Sequence, residues 1–281
     1  MAITRPNENT CQLCGHRPLT EFVVPNKTVL WLCEKCELYQ YGHLVDDSAY
    51  ASEYHHGYER HRDQKLRTAM VRLNRIAPQV HSKAPRLLDV GCSVGCTVEA
   101  ANKRGWHGVG VDLSKDAVAR CNRNGLECYV TDGVKLPFDD QSFDVLTSWH
   151  VIEHVANVEE TLTEWQRVLR PGGVMALETP DATSPKVRRL GSKYRKFWAA
   201  EHTYTFSPQN LGEFVERAGF ELLSRPVVGR LADLPATSTC YALVYQAYHG
   251  LRRIAGVHKA FQIFARRRVE SGISRAVTSA A

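Results

Sequence analysis

The segment Arg86-Leu87-Leu88-Asp89-Val90-Gly91-Cys92-Ser93-Val94-Gly95 constrains the fold of this chain more than any other. An apolar run ends in an acid, enters a turn of small residues and passes into the helix-forming Val98-Glu99-Ala100-Ala101-Asn102-Lys103. Such a strand–turn–helix lets backbone approach a bound cofactor, because Gly91 and Gly95 carry no Cβ. A second apolar run, Val109-Gly110-Val111-Asp112, ends in an acid 21 residues after Gly91. An acid at that distance sits at the tip of the neighbouring strand, where it can accept both hydroxyls of a ribose.

From residue 86 onward strand and helix patterns alternate, the signature of a parallel sheet wrapped by helices. Strands are expected at 86–90, 108–112, 127–131, 143–149, 173–179 and 221–228, with helices at 95–104, 114–124, 158–169 and 207–218. Residues 62–76 read as an amphipathic helix through Leu66, Ala69, Met70, Leu73 and Ile76. Residues 241–264 carry apolar residues at mostly helical spacing, although the last strands of the sheet could hide there. The resulting division is 1–45, 46–83 (linker and first helix), 84–230 (core) and 231–281 (a helical and basic extension).

Residues 1–45 hold Cys11-x-x-Cys14 and Cys33-x-x-Cys36, with 18 residues between the pairs. Two such knuckles imply zinc, since four thiolates complete a tetrahedral shell with no position left for substrate. The ion expected in this zinc-ribbon-like module is therefore structural. Cys92, Cys96, Cys121, Cys128 and Cys240 read as small buried hydrophobes. Nine cysteines without an apolar export signal point to a reducing compartment, so a cytoplasmic location is expected. No apolar run is long enough for a transmembrane segment.

The motif series resembles the class I S-adenosylmethionine-dependent methyltransferases. Residues 89–95 and 109–112 are similar to their first two motifs, and Tyr129-Val130-Thr131-Asp132-Gly133 and Leu136-Pro137-Phe138-Asp139-Asp140-Gln141-Ser142-Phe143-Asp144-Val145 to the third and fourth. Arg167-Val168-Leu169-Arg170-Pro171-Gly172-Gly173 resembles the turn before the fifth strand. The resemblance implies a Rossmann-like α/β fold, a seven-stranded sheet with helices on both faces. It implies S-adenosylmethionine as cofactor, contacted by Asp89, Gly91, Cys92, Ser93, Gly95, Asp112, Leu113, Asp132, Gly133 and Trp149. In that scheme Gly91 and Gly95 meet the methionine part, Asp112 the ribose hydroxyls and Asp132 the adenine amino group. Trp149 and His150 flank the sulfonium and the acceptor. Ser93 departs from the family, which usually has glycine there. Asp112 also suits a nicotinamide cofactor, but the acid Asp89 and the Leu-Pro-Phe segment have no role in a dinucleotide site.

Methyl transfer to a hydroxyl needs an aligned acceptor and a group that removes its proton. The candidates are His150, Glu153 and His154, which share one face if the segment is helical, and His202 from a later loop. Quinone-biosynthesis and small-RNA O-methyltransferases use a similar Glu-x-x-Glu-His element to hold magnesium. His150 replaces the first Glu here, and imidazole is a poor ligand for that ion. The expected site is metal-free, with His150 or His154 as general base.

The net charge is +6. Lys186, Arg188, Arg189, Lys193, Arg195 and Lys196 form a run without an acid, beyond the fifth strand. This run suggests an anionic acceptor: sugar-, glycan- or lipid-linked, in keeping with a resemblance to bacterial methyltransferases of cell-surface polysaccharide. RNA 2′-O-methylation and quinone-type O-methylation are the alternatives, and a cofactor-binding pseudo-enzyme is the non-catalytic one. A basic tail (Arg252, Arg253, Lys259, Arg266, Arg267, Arg268, Arg275) reads as a solvated face or a peripheral membrane contact.

Overall fold

The computed structural model describes residues 10–23, 29–41, 61–194, 202–223, 227–228 and 260–269. Three short strands come first: β1 (Thr20–Val23), β2 (Val29–Leu32) and β3 (Tyr39–Tyr41). Helix α1 (Arg62–Ile76) leads into β4 (Arg86–Val90), α2 (Cys96–Lys103), β5 (His107–Asp112), α3 (Lys115–Arg123) and β6 (Glu127–Val130). Then follow β7 (Phe143–Trp149), α4 (Val158–Val168), β8 (Leu169–Pro180) and α5 (Pro185–Leu190). Strand β9 (Tyr204–Thr205), α6 (Pro208–Arg217), β10 (Phe220–Leu222), β11 (Val227–Val228) and β12 (Ala260–Arg267) complete the series.

The main sheet runs β6-β5-β4-β7-β8-β12-β10, with β11 also paired to β12. Its strands from β6 to β8 are parallel, and β12 enters antiparallel. This is the seven-position mixed sheet that the resemblance implies. The chain order reverses at β4, which has β5 on one side and β7 on the other. A crevice therefore opens beyond the carboxyl ends of β4 and β7, where such sheets hold ligands. Burial on both faces explains the near-continuous apolar runs: Leu87, Leu88 and Val90 in β4, and Val145 and Leu146 in β7, are at most 1% exposed.

Helix ends follow local chemistry. The Ser114 Oγ accepts from Ala117 N, and Asn157 Oδ1 accepts from Glu159 N and Glu160 N. Ser207 and Asn210 form a reciprocal capping box on α6, with Pro208 at its first position. Helix α1 has the expected bounds, but Met70 is exposed (46%), while Ala69, Leu73 and Ile76 are buried.

Strand β12 corrects the helical reading at 260–264. Phe261, Gln262, Ile263 and Ala265 are all at most 1% exposed, so both faces of the strand are covered. A strand covered twice loses the alternation that would separate it from a helix. The rest of the 241–264 stretch lies outside the described residues. Two tail cations belong to this strand as structural groups. Arg266 donates to the carbonyls of Gly172 (2.9 Å) and Gln79 (3.1 Å), and Arg267 to those of Gln166 (2.8 Å) and Leu169. Arg252, Arg253, Lys259 and Arg275 lie outside the described residues. Among the described residues no helix is long and apolar enough to cross a membrane.

The glycine turn is shaped by its own neighbours. Gly91 has φ +74°, and a Cβ there would stand 2.3 Å from Val151 Cγ2. Gly95, also at φ +74°, would meet Leu126 Cδ1 at 2.6 Å. Gly91→Ala is expected to cost roughly 1–3 kcal/mol from the strained φ and the overlap. Urea unfolding checks this, with Val151→Ala recovering only the overlap. An unchanged midpoint in the single variant would refute the close approach.

Candidate active site

The tip of β5 carries the end of the site where the cofactor is expected. Asp112 Oδ2 accepts from Ser93 N at 2.7 Å and Oδ1 from Ser114 N at 2.9 Å. The carboxylate thus joins the glycine turn to the start of α3. Ser93 itself stands at φ +50°, in the left-handed region where the family's usual glycine would be at ease. The amide bond to Asp112 helps hold that conformation. Leu113, next in sequence, is an exposed apolar side chain (37%) beside the crevice.

Other expected cofactor residues take different stations. Asp89 is 2% exposed and lies beneath the turn, with Thr147 Oγ1 donating to its Oδ1 at 2.6 Å. Burial raises its pKa to about 7, against hydrogen bonds from Thr147 and Thr97 that lower it. Cys92 is 5% exposed and packs with Val98, Val118, Cys121, Leu126 and Cys128. Asp132 Oδ1 accepts from Val134 N (3.0 Å) and Lys135 N (3.2 Å), shaping the loop after β6. The carbonyl of Gly133 accepts from Trp165 Nε1 at 3.1 Å. Behind that loop, Arg167 links Glu164 to Asp140 at 2.8 and 2.6 Å.

The acceptor end lies after β7 and is a turn, not the helix that would have aligned three side chains. His150 turns the chain at φ +61°, its N–H donating to Glu178 O at 2.8 Å. Its ring is clamped between two carboxylates: Nδ1 lies 3.1 Å from Glu153 Oε1, and Nε2 lies 3.1 Å from Glu178 Oε1. Both ring nitrogens face acceptors only, so the imidazolium is the form that satisfies them. Desolvation pulls its pKa down, but the two carboxylates outweigh it and raise the value to about 9. Solvent reaches 34% of the side chain, and screening trims that coupling. Glu153 shows the mirror image: burial would raise its pKa, and His150 brings it down to about 2. Its second oxygen accepts from Thr179 Oγ1 at 2.9 Å.

Sequence reasoning missed the partners that complete this chain of charges. Arg72 of α1 donates to Glu178 Oε1 at 2.6 Å and lies over the Trp149 ring at 4.1 Å. Gln262 Nε2 donates to Glu178 Oε2 at 2.6 Å. With Arg72 and His150 around it, Glu178 is held well below the usual carboxylate range despite its burial. Two signals were available: an arginine inside the apolar stripe of α1, and an acid closing the buried run of β8.

His154 parts from His150 and meets His202, their ring centroids 5.0 Å apart and edge to face. Ligand atoms of Glu153, His154 and His202 lie within 4.8 Å of one another. Two imidazoles and a carboxylate suit a borderline divalent ion better than magnesium. His150 is absent from that grouping, being held by its own pair of carboxylates.

The four cysteines of the first module converge as expected from their spacing. Cys11 Sγ–Cys36 Sγ is 3.4 Å, Cys14 Sγ–Cys33 Sγ is 3.6 Å, and all four sulfurs lie within 4.8 Å. A tetrahedral zinc shell needs sulfurs roughly 3.8 Å apart, so the donor set fits. The small sheet, in the order β1-β2-β3-β9, is finished by a strand that follows β8 in the chain. The basic run is less of a substrate wall than its position suggested. Val187, Leu190 and Tyr194 pack on Leu30 and Tyr41 of this sheet, and Arg188, Arg189 and Lys193 are exposed. Arg195 and Lys196 lie outside the described residues.

Two expectations follow. Asp112→Ala removes a charged acceptor from the turn and from any bound ribose, so affinity for S-adenosylmethionine should fall about 10- to 100-fold by calorimetry. An unchanged affinity would remove Asp112 from the site. His150 should make stability pH-dependent in a defined direction. Its folded pKa, about 9, lies above the ordinary 6.5, so its contribution is complete below 6.5 and is lost as pH rises through 9. Urea midpoints of the wild type should fall across that window relative to His150→Gln; parallel profiles would show that the clamp is not ionised.

The methyltransferase-domain family matches residues 58–225, the stretch that holds both ends of this site. The chain is 30% identical over 155 residues to the ubiquinone biosynthesis O-methyltransferase of Agrobacterium fabrum, covering 53% of this chain and 60% of that protein. It is 32% identical over 142 residues to the 27-O-demethylrifamycin SV methyltransferase of Amycolatopsis mediterranei, covering 47% and 52%. With the demethylmenaquinone methyltransferase of Staphylococcus haemolyticus it shares 30% identity over 184 residues, covering 56% and 76%. The chain thus spans little more than half the length of the first two. Among solved structures, a SAM-dependent methyltransferase from Archaeoglobus fulgidus superposes with a TM-score of 0.52 at 21% identity, over 70% of this chain and 92% of that one. The [4+2]-cyclase SpnF gives 0.51 at 22% identity, over 70% and 79%, so this likeness speaks for fold alone. On the family match over residues 58–225, the chain belongs to the methyltransferase-domain family, and its sheet has the class I fold.

Proposed function

We propose that this chain transfers a methyl group from S-adenosylmethionine to a hydroxyl of a small ring-bearing acceptor of quinol or phenol type. The observation that carries the reading is the coincidence of the family match with the turn at Gly91–Gly95, Asp112, Trp149 and the His150–His154 turn. The names of the relatives support the acceptor class, two of the three being quinone-pathway enzymes. Sugar-, glycan- and lipid-linked acceptors draw no such support. RNA draws none from the tail either, where Arg266 and Arg267 are spent on carbonyls.

When bound, the cofactor supplies an electrophilic methyl group. The residues of this chain do the rest. Asp112, oriented by two backbone amides, would accept hydrogen bonds from the ribose hydroxyls, Leu113 would lie beside the base, and the turn amides would serve the methionine end. His150 is a positioning residue: a fixed cation that keeps both protons and sets the path of the turn after Trp149. The His154–His202 pair is the base. One of these imidazoles would take the proton as the acceptor O–H bond breaks, the O–CH3 bond forms and the methyl's bond to sulfur breaks to leave a neutral thioether, and the Glu153 carboxylate would stabilise the resulting imidazolium. This route needs no divalent ion at Glu153, whose oxygens are already engaged by His150 and Thr179. In the N-terminal module, Cys11, Cys14, Cys33 and Cys36 hold a structural zinc.

The test is methyl-labelled S-adenosylmethionine offered with a catechol, a hydroquinone, a sugar nucleotide and RNA, with and without added magnesium. Label should enter the catechol or hydroquinone, independent of magnesium. His202→Ala should lower turnover about 100-fold with cofactor affinity nearly intact. Label confined to the sugar nucleotide or RNA would overturn the acceptor class, and a strict magnesium requirement would overturn the metal-free route.

A further inference from the structure

The cysteine module shares its sheet and its core with the acceptor end of the site. Strand β3 pairs with β9 through Tyr39↔Thr205 and Gln40↔Tyr204, and Tyr41 N donates to Thr203 O at 2.9 Å. On its other side the same segment is fixed to the active-site turn, since Thr203 N and Tyr204 N donate to Glu153 O at 2.7 and 3.1 Å. His202 stands at the head of this doubly held segment, with the Tyr41 ring 6.4 Å from its own.

Each knuckle is wired to that strand. Gln40, 1% exposed, accepts from Gln12 N at 2.7 Å and donates to Thr10 O at 3.3 Å, tying the first knuckle to β3. The second knuckle runs directly into β3 through Cys33 N→Leu38 O at 2.9 Å. Asn210, fully buried, uses its Oδ1 in the α6 capping box and its Nδ2 on Cys36 O at 3.2 Å. Arg217 donates to Leu13 O. Cys11, Leu13, Leu19, Cys33 and Leu38 lie in one hydrophobic cluster with Val155, Tyr204, Phe206, Leu211 and Phe214. The strand pairing and these side-chain hydrogen bonds fall on the 203–205 segment and on α6, whereas the shared hydrophobic cluster also runs on to Val90 and Val111. The knuckles contain no helix, and β1, β2 and β3 are only 4, 4 and 3 residues long, so the metal is the natural source of their rigidity.

We propose that the zinc module is a clamp on the acceptor half of the site, holding the His202 segment against the Glu153 turn through the β3–β9 pairing. This rests on the reading of Cys11, Cys14, Cys33 and Cys36 as a zinc site and of His202 as an acceptor-side residue. Loss of the ion frees β3, loosens residues 202–206 and disables methyl transfer, while the cofactor end stays formed.

The test uses the full chain, metal-loaded and after treatment with a strong chelator, with zinc counted by mass spectrometry. Hydrogen exchange is read at 202–206 and at β4, and S-adenosylmethionine binding is measured by calorimetry. Chelation should speed exchange at 202–206 by about tenfold or more, leave β4 protected and change cofactor affinity less than about twofold. Zinc-loaded protein whose 202–206 amides ignore removal of the ion would overturn the clamp while leaving the zinc site standing. Loss of protection at β4 together with 202–206 would overturn it too, because the module would then support the whole fold. Protein that takes up no zinc, even when refolded with it, would overturn the zinc reading and the clamp with it.

Discussion

One carboxylate joins the glycine turn to the neighbouring strand and helix. Asp112, delivered by β5, accepts from Ser93 and Ser114 amides and so fixes the turn of β4 against the tip of its neighbour. A hydrogen bond to a charged acceptor is worth about 1.5–3 kcal/mol, enough to offset the roughly 1 kcal/mol of a serine in the left-handed region. The cradle is therefore formed before a ligand arrives. Its cost is that the carboxylate proposed to hold the ribose also holds the turn, so an exchange at Asp112 touches the fold as well.

The turn after β7 is organised by alternating charges: Arg72, the buried Glu178, the part-exposed His150 and the buried Glu153. The two carboxylates are tolerable out of water only because each faces a cation, and stranding either would cost about 3–5 kcal/mol. The chain of charges also unites elements distant in sequence, from α1 through β7 and β8 to Gln262 of β12. Its consequence for chemistry is a division of labour among histidines. One is pinned as a cation, and two stand together beside a carboxylate.

Much of this was legible in the sequence wherever burial imposed a pattern. The apolar runs ending in Asp89 and Asp112 are what parallel strands buried on both faces must look like, and α1 was legible to the residue because its apolar stripe has one period. Legibility failed where one pattern serves two structures. The spacing of His150, Glu153 and His154 fits a helix face and a tight turn alike, and the turn sends His154 to His202 instead of His150. Strand β12 failed for a related reason, its alternation erased by cover on both sides. Arg72 and Glu178 are 106 residues apart, and no local rule pairs them. Strand β9, two residues long, exists only because β3 is there to receive it.

The proposal stands or falls on whether the crevice beyond β4 and β7, flanked by Asp112 at the tip of β5, accepts a sulfonium nucleoside. Calorimetric titration of the wild-type protein with S-adenosylmethionine, and separately with a nicotinamide dinucleotide, tests it most directly. The account requires saturable heat with the first at about one molecule per chain and none with the second. Heat from the dinucleotide alone would contradict it.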